Sequence, residues 1–92
     1  MPITGPQKPK LPKHWRKQHL DIYRDMQSVE DVEEILRTLL KYSKLKANKT
    51  TDLPQELIDA HIEIARHILE KEKGYDKNQL DGYLNRQLNK KP

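Results

Sequence analysis

The sequence predicts an all-α fold, an antiparallel four-helix bundle over residues 13–92 behind a disordered Pro/Lys-rich tail over 1–12. Three observations predict it. Apolar residues recur at helical spacing through most of the chain; cap-like residues punctuate those stretches; and the break between the first two is very short, as neighbouring helices require. Ninety-two residues with 34% hydrophobic content cannot fill two cores, so a single domain follows.

Residues 1–12, MPITGPQKPKLP, hold four of the six prolines and little to bury, and read as a basic tail. The spacings Pro6 to Pro9 and Pro9 to Pro12 are P-x-x-P patterns, short enough to arise by composition alone. Helix 1 is expected from Pro12 or Lys13 to about Gln27, with Trp15, His19, Ile22, Tyr23 and Met26 along one face. Ser28, followed three residues later by Asp31, reads as the N-cap of helix 2. That helix carries Val32, Ile35, Leu36, Leu39, Leu40 and Tyr42 on its apolar stripe and loses the pattern around Ser43 to Lys46. An exposed loop over residues 46–52 follows, with Asn48 as the left-handed residue.

Helix 3, Pro54 to Lys73, is the longest uninterrupted periodic segment. Leu57, His61, Ile64 and Ile68 form one row, and Ile58, Ile62, Ala65 and Leu69 form another beside it, a stripe wide enough for a central helix. Pro54 fits its first turn and Gly74 its C-terminal end. Tyr75 can fold back on that end. Asp76 with Gln79 opens helix 4, which shows Leu80, Tyr83, Leu84 and Leu88 on one side and is weakened by Gly82 by about 1 kcal/mol relative to alanine.

Composition narrows the chemistry. Without cysteine there is no disulfide and no thiolate nucleophile or ligand. The longest apolar run is too short for a membrane span, and the lysines and prolines at the start do not make a signal peptide, so a cytoplasmic protein is expected. Net charge is +4 with charges of both signs. One basic stretch runs through Lys8, Lys10, Lys13, Arg16 and Lys17, and a second through Arg37, Lys41, Lys44, Lys46 and Lys49.

No catalytic constellation stands out. His14, His19, His61 and His67 have spacings of five and six, which place neither neighbouring pair on one helix face, and Glu63 with His67 would supply only half of a metal site. There is no glycine-rich phosphate loop and no serine poised near a histidine in a sharp turn. The expectation is a protein that is not an enzyme and uses no cofactor or metal. Nucleic-acid binding is the rival reading, on the two basic stretches and Trp15. Against it, helix 3 carries Glu56, Asp59, Glu63, Glu70 and Glu72, which would repel phosphates from its outer face.

Over residues 29–88 the chain resembles the immunity proteins of pediocin-like bacteriocins, the enterocin A immunity family of lactic acid bacteria. Val32, Ile35, Leu36, Leu39 and Leu40 stand at that family's helix 2 spacing. Leu53, Pro54, Leu57, Glu63, Ile64 and Ile68 stand at its helix 3 spacing, and Gln79, Leu80 and Leu84 fit its helix 4. The chain departs from the pattern in a longer 41–52 loop, in lacking a serine-arginine and an asparagine in helix 3, and in stopping soon after helix 4. In the family that last part helps to decide which bacteriocin is recognised.

The resemblance implies an antiparallel four-helix bundle in the producer's cytoplasm, acting from the inner face of the membrane. There it would bind the mannose phosphotransferase, a membrane-embedded sugar transporter receptor, once bacteriocin has engaged it, and block the pore. Arg86, Gln87, Lys90 and Lys91, at the least committed end of the chain, are the expected partner-binding residues. A monomer is expected, with Ile58, Ile62 and Leu69 the residues a dimer would use.

Overall fold

The computed structural model describes residues 11–49 and 51–89. Four helices follow in order: α1 Lys17–Gln27, α2 Val32–Asn48, α3 Gln55–Lys71 and α4 Lys77–Leu88. They pack on one another as an all-α bundle, α3 against both α1 and α2, and α2 against α4. None is long and apolar enough to cross a membrane among the described residues.

Contacts between helices fix their directions. Tyr42 meets His61 and Lys46 meets Asp59, so rising numbers on α2 meet falling numbers on α3 and the two are antiparallel. His14 meets Glu63 while Tyr23 meets Glu72, so α1 runs parallel to α3. Arg66 on α3 meets Asp81 on α4 across the turn that joins them.

The core lies along α3. Ile58, Ile64, Ile68 and Leu69 have almost no surface left exposed, and Ile35 and Leu39 from α2 and Leu80 from α4 complete the fully buried set. Burying each such side chain stabilises the fold by about 1.5–3 kcal/mol over leaving it in water. Ile58 and Leu69 are thus covered by the chain itself, while Ile62 is half-buried. Helix α4 rests chiefly on α2; its ties to α3 are the Arg66–Asp81 pair and the shared core at Leu80 and Leu84.

Several boundaries differ from the expected ones for local reasons. α1 starts at Lys17 because the Trp15 N–H closes a turn on the Pro12 carbonyl (3.2 Å) and Arg16 is extended, so the first helical bond is Leu20 N–H to Arg16 O. Leu11 and Pro12 are not tail residues: both are half-buried, and Leu11 packs on the core. Residues 1–10, with Pro6 and Pro9, lie outside the described residues. Ser28 does not cap α2. It is used up in ending α1, its hydroxyl donating to the Asp25 carbonyl (2.6 Å), and Asp31 caps α2 by accepting the Glu33 N–H (3.0 Å).

α2 outlasts its clean apolar pattern and runs to Asn48, as lysine and alanine favour helix and Lys46 is anchored to Asp59. The left-handed residue is therefore Lys49 (φ 52°), one past the expected Asn48. Pro54 is the N-cap of α3, its carbonyl accepting the N–H groups of Leu57 and Ile58. α3 ends at Lys71, two residues before the expected Lys73. Gly74 (φ 80°) turns the chain so that Tyr75 N–H bonds back to the Leu69 carbonyl (2.8 Å) and Tyr75 packs on the core. The Asp76–Gln79 capping box forms as expected, Asp76 N–H donating to Gln79 Oε1 at 2.8 Å.

Candidate functional site

The most densely polar part of the interior is the seam between α1 and α3. Trp15, just upstream of α1, is 7% exposed and lies across α3, where its Nε1–H donates to Glu63 Oε2 (2.8 Å). His14 Nε2 bonds the same carboxylate oxygen. Around the indole, His19 stacks with centroids 6.2 Å apart, Tyr23 lies tilted at 5.6 Å, and His67 meets it edge-on at 5.0 Å. The Tyr23 hydroxyl donates to Glu72.

Helical spacing had separated His14 from His19 and left Glu63 and His67 as half of a metal site. The first inference fails because His14 precedes the helix, so 100° per residue does not apply to it. The two rings in fact sit 6.3 Å apart around Trp15. Glu63 and His67 do face one neighbour together, and that neighbour is an indole. Among the described residues, no group of three or more His, Asp or Glu side chains is arranged to hold a metal ion.

The seam shifts its own titrations. Burial pushes Glu63 up, but the hydrogen bonds from Trp15 and His14 and the charges of His14 and His19 outweigh it, and the carboxyl ends below its ordinary range. Burial lowers His67, against the pull of Glu72 and Glu63, and its buried Nε2 makes no hydrogen bond. Burial, with the bond to Glu72, pushes the Tyr23 phenol up to about 12. On the α2 side of α3, Lys46 holds Asp59 below the usual carboxylate range. These groups are all engaged in joining helices, so their shifts belong to packing.

The acids of α3 therefore do not form the repelling outer face that the sequence implies. Asp59 is held by Lys46, Glu63 by Trp15 and His14, Glu70 by Arg66, and Glu72 by Tyr23. Glu56 is left exposed.

A groove of about 320 Å³ opens on another side, between α1 and α2 with α3 behind. Ile22, Met26 and Val29 form its apolar wall. Its other wall is Tyr42, stacked on His61 at 4.1 Å, with Asp25, Thr38 and Lys41 at the rim. His61 Nδ1 bonds the Leu57 carbonyl (2.8 Å), which fixes the ring within the row of apolar residues where the sequence places it. The periodicity of α2 and α3 contained the signal for this stack, since Tyr42 and His61 each lie on an apolar stripe.

Of the residues expected to meet a partner, Arg86 is exposed in the last turn of α4 and Gln87 is half-buried beside it. Lys90 and Lys91 lie outside the described residues. No family model matches the chain, and no curated protein or solved structure is significantly similar to it.

Proposed function

We propose that this chain is an immunity protein of the pediocin-like bacteriocin type. On this reading it is a binding protein with no catalytic activity, protecting its cell from the cytoplasmic side by engaging the mannose phosphotransferase receptor once bacteriocin has bound there. The observation that carries the proposal is where the resembling residues stand. Ile35 and Leu39, Ile64 and Ile68, Leu80 and Leu84 are buried core positions of a four-helix bundle, Pro54 caps α3 and Gln79 closes the α4 capping box. The spacing likeness is thus one of packing positions. A binding role also agrees with a site chemistry in which the shifted titratable groups are tied up between helices.

Arg86, Gln87, Lys90 and Lys91 are the proposed contacts with the receptor. The test is expression in a sensitive strain followed by challenge with a panel of pediocin-like bacteriocins. Protection against at least one member is expected, and Arg86→Glu should weaken it while leaving the helical content unchanged. A strain that stays sensitive to the whole panel removes the proposal.

A second reading, a small nucleic-acid-binding or phage or plasmid accessory protein, gains from one observation. With most acids of α3 turned to intramolecular partners, less negative charge opposes a phosphate backbone, while Lys41 and Lys44 are exposed on α2. Gel retardation at low and physiological salt tests it, with steeply salt-dependent retention the expected sign.

A further inference from the structure

We propose that α1, with the segment that leads into it, is an acid-released arm: protonation of His67 lifts residues 11–27 off α3 while α2, α3 and α4 stay folded together. α1 is the helix with the narrowest attachment. Its one substantial packing partner among the described helices is α3, and the groove of about 320 Å³ opens between it and α2. α2, by contrast, packs on both α3 and α4. An element held on one side can open at a lower cost than the whole fold, because fewer buried contacts are lost.

What closes the arm is a row of bonds to two carboxylates of α3. Glu63 accepts from Trp15 and His14, and Glu72 accepts from Tyr23 and, at 3.5 Å, from Gln27. His67 stands between these two acids on α3 and against the rings they anchor, 5.0 Å from the Trp15 centroid and 6.0 Å from that of Tyr23. Its Nε2 is sealed from water and has no hydrogen-bond partner. An imidazolium carries an N–H on both nitrogens, so a proton taken up in the closed form would leave a charged donor facing two aromatic rings.

The charges around His67 do not relieve this. On α3 they are Glu63, Glu70, Lys71 and Glu72; among the described residues no charged side chain of α2 or α4 acts on it. Glu63 and Glu72 are held by the arm itself, Glu70 by Arg66 (3.7 Å), and Lys71 repels a second cation. From the arm come the Tyr23 phenol, which donates to Glu72, and His14 and His19, whose charges act on Glu63. Opening frees both carboxylates and admits water, so the open form takes the proton that the closed form refuses, and falling pH beneath the ordinary 6.5 favours opening. Protonating His14 strengthens its bond to Glu63 and works the other way, but that side chain is 64% exposed and water screens the pair. Glu63 favours opening only below its ordinary 4.5, so between 4.5 and 6.5 His67 decides. An opened arm carries Trp15, Ile22, Tyr23 and Met26 away from the core, and acid thereby displays an apolar face that neutral pH keeps covered.

This inference rests on neither functional reading. Trp15 is the only tryptophan, so its emission reports the arm alone. The experiment follows the full chain from pH 7.5 to 5 by emission maximum and acrylamide quenching, which a nearby imidazolium does not imitate as it does a loss of intensity. Native-state hydrogen exchange is measured on the same samples. Trp15 should shift to the red and become accessible to acrylamide. Protection of α1 amides, relative to an unfolded chain at the same pH, should fall by up to about ten-fold per pH unit below 6.5, while α3 amides keep theirs. His67→Phe and His67→Gln, which cannot take the proton, should each hold the arm closed across this range. His14→Gln should leave the acid opening in place. Circular dichroism at pH 7.5 checks that each variant is folded. The inference is overturned if Trp15 and the α1 amides are unchanged down to pH 5, if α1 and α3 lose protection together, or if the opening persists in both His67 variants.

Discussion

Trp15 and Glu63, forty-eight positions apart, are joined by an indole N–H to carboxylate hydrogen bond of 2.8 Å that clasps the segment before α1 onto the middle of α3. The bond satisfies the one polar atom of a side chain that is otherwise buried, and it leaves the ring free to pack on Tyr23 and His67.

Removing this clasp should be among the more damaging single changes. Trp15→Ala is expected to cost about 3–5 kcal/mol, since it deletes a large buried ring and strands its neighbours. Trp15→Phe, which keeps much of the packing and loses the hydrogen bond, should cost about 1 kcal/mol. Urea unfolding followed by circular dichroism reads both, and similar losses for the two would show that the hydrogen bond, not the packing, carries the clasp.

Stability should fall in two steps as pH drops. His67 has a folded pKa below its ordinary 6.5, so in the window beneath 6.5 the unfolded chain binds a proton that the folded chain refuses, and stability declines as pH falls through it. Glu63 and Asp59 have folded values below their ordinary ones, 4.5 and 3.8, so their contribution is present above those values and is lost as pH falls through the folded pKa. Thermal melts from pH 8 to 3 should show both declines, and His67→Phe should abolish the first. That change also removes a buried nitrogen without a partner, so at pH 7.5 it should be neutral or stabilising by up to about 1 kcal/mol.

At the alkaline end the sign reverses in origin but not in outcome. Tyr23 keeps its proton in the folded state up to about 12, whereas the unfolded phenol loses it near 10.0. Stability should fall as pH rises across that interval, and Tyr23→Phe should flatten the decline. A profile unchanged by Tyr23→Phe would mean that the bond to Glu72 is not formed in solution.

Backbone strain offers opposed substitutions. Lys49 sits at φ 52°, so Lys49→Gly should stabilise by about 1 kcal/mol. Gly74, at φ 80°, should lose a similar amount on mutation to alanine even though an added Cβ meets nothing within 4 Å. Gly82 is helical with equally open surroundings, so Gly82→Ala should gain about 1 kcal/mol by firming α4. Melting temperatures of the three variants should therefore move up, down and up.

Much of the fold is legible in residue spacing because helix and burial are both periodic. Ile64, Ile68, Ile35 and Leu39 are core positions on any helical wheel, and the Asp76–Gln79 box is a local hydrogen-bonding pattern that needs no partner. Boundaries were less legible where one residue could serve two neighbours. Ser28 is a plausible cap for α2 until the end of α1 claims its hydroxyl, and the outgoing turn is nearer. The polar seam was not legible at all. Glu63, His67 and Glu72 read as surface residues of α3 until Trp15 and Tyr23 are laid over them, because a side chain's partner across a helix interface depends on crossing geometry and not on its own sequence neighbourhood.

By itself, then, the sequence determined four amphipathic helices, their approximate extents, the central place of α3 and the absence of any thiol chemistry, all properties of local pattern and composition. Only the tertiary structure decided what the charges do. It turned Asp59, Glu63 and Glu72 from an outward acidic face into partners for distant parts of the chain, and Glu70 into a partner for Arg66 on its own helix. Direction and packing are relations between elements, and no single stretch of sequence contains them.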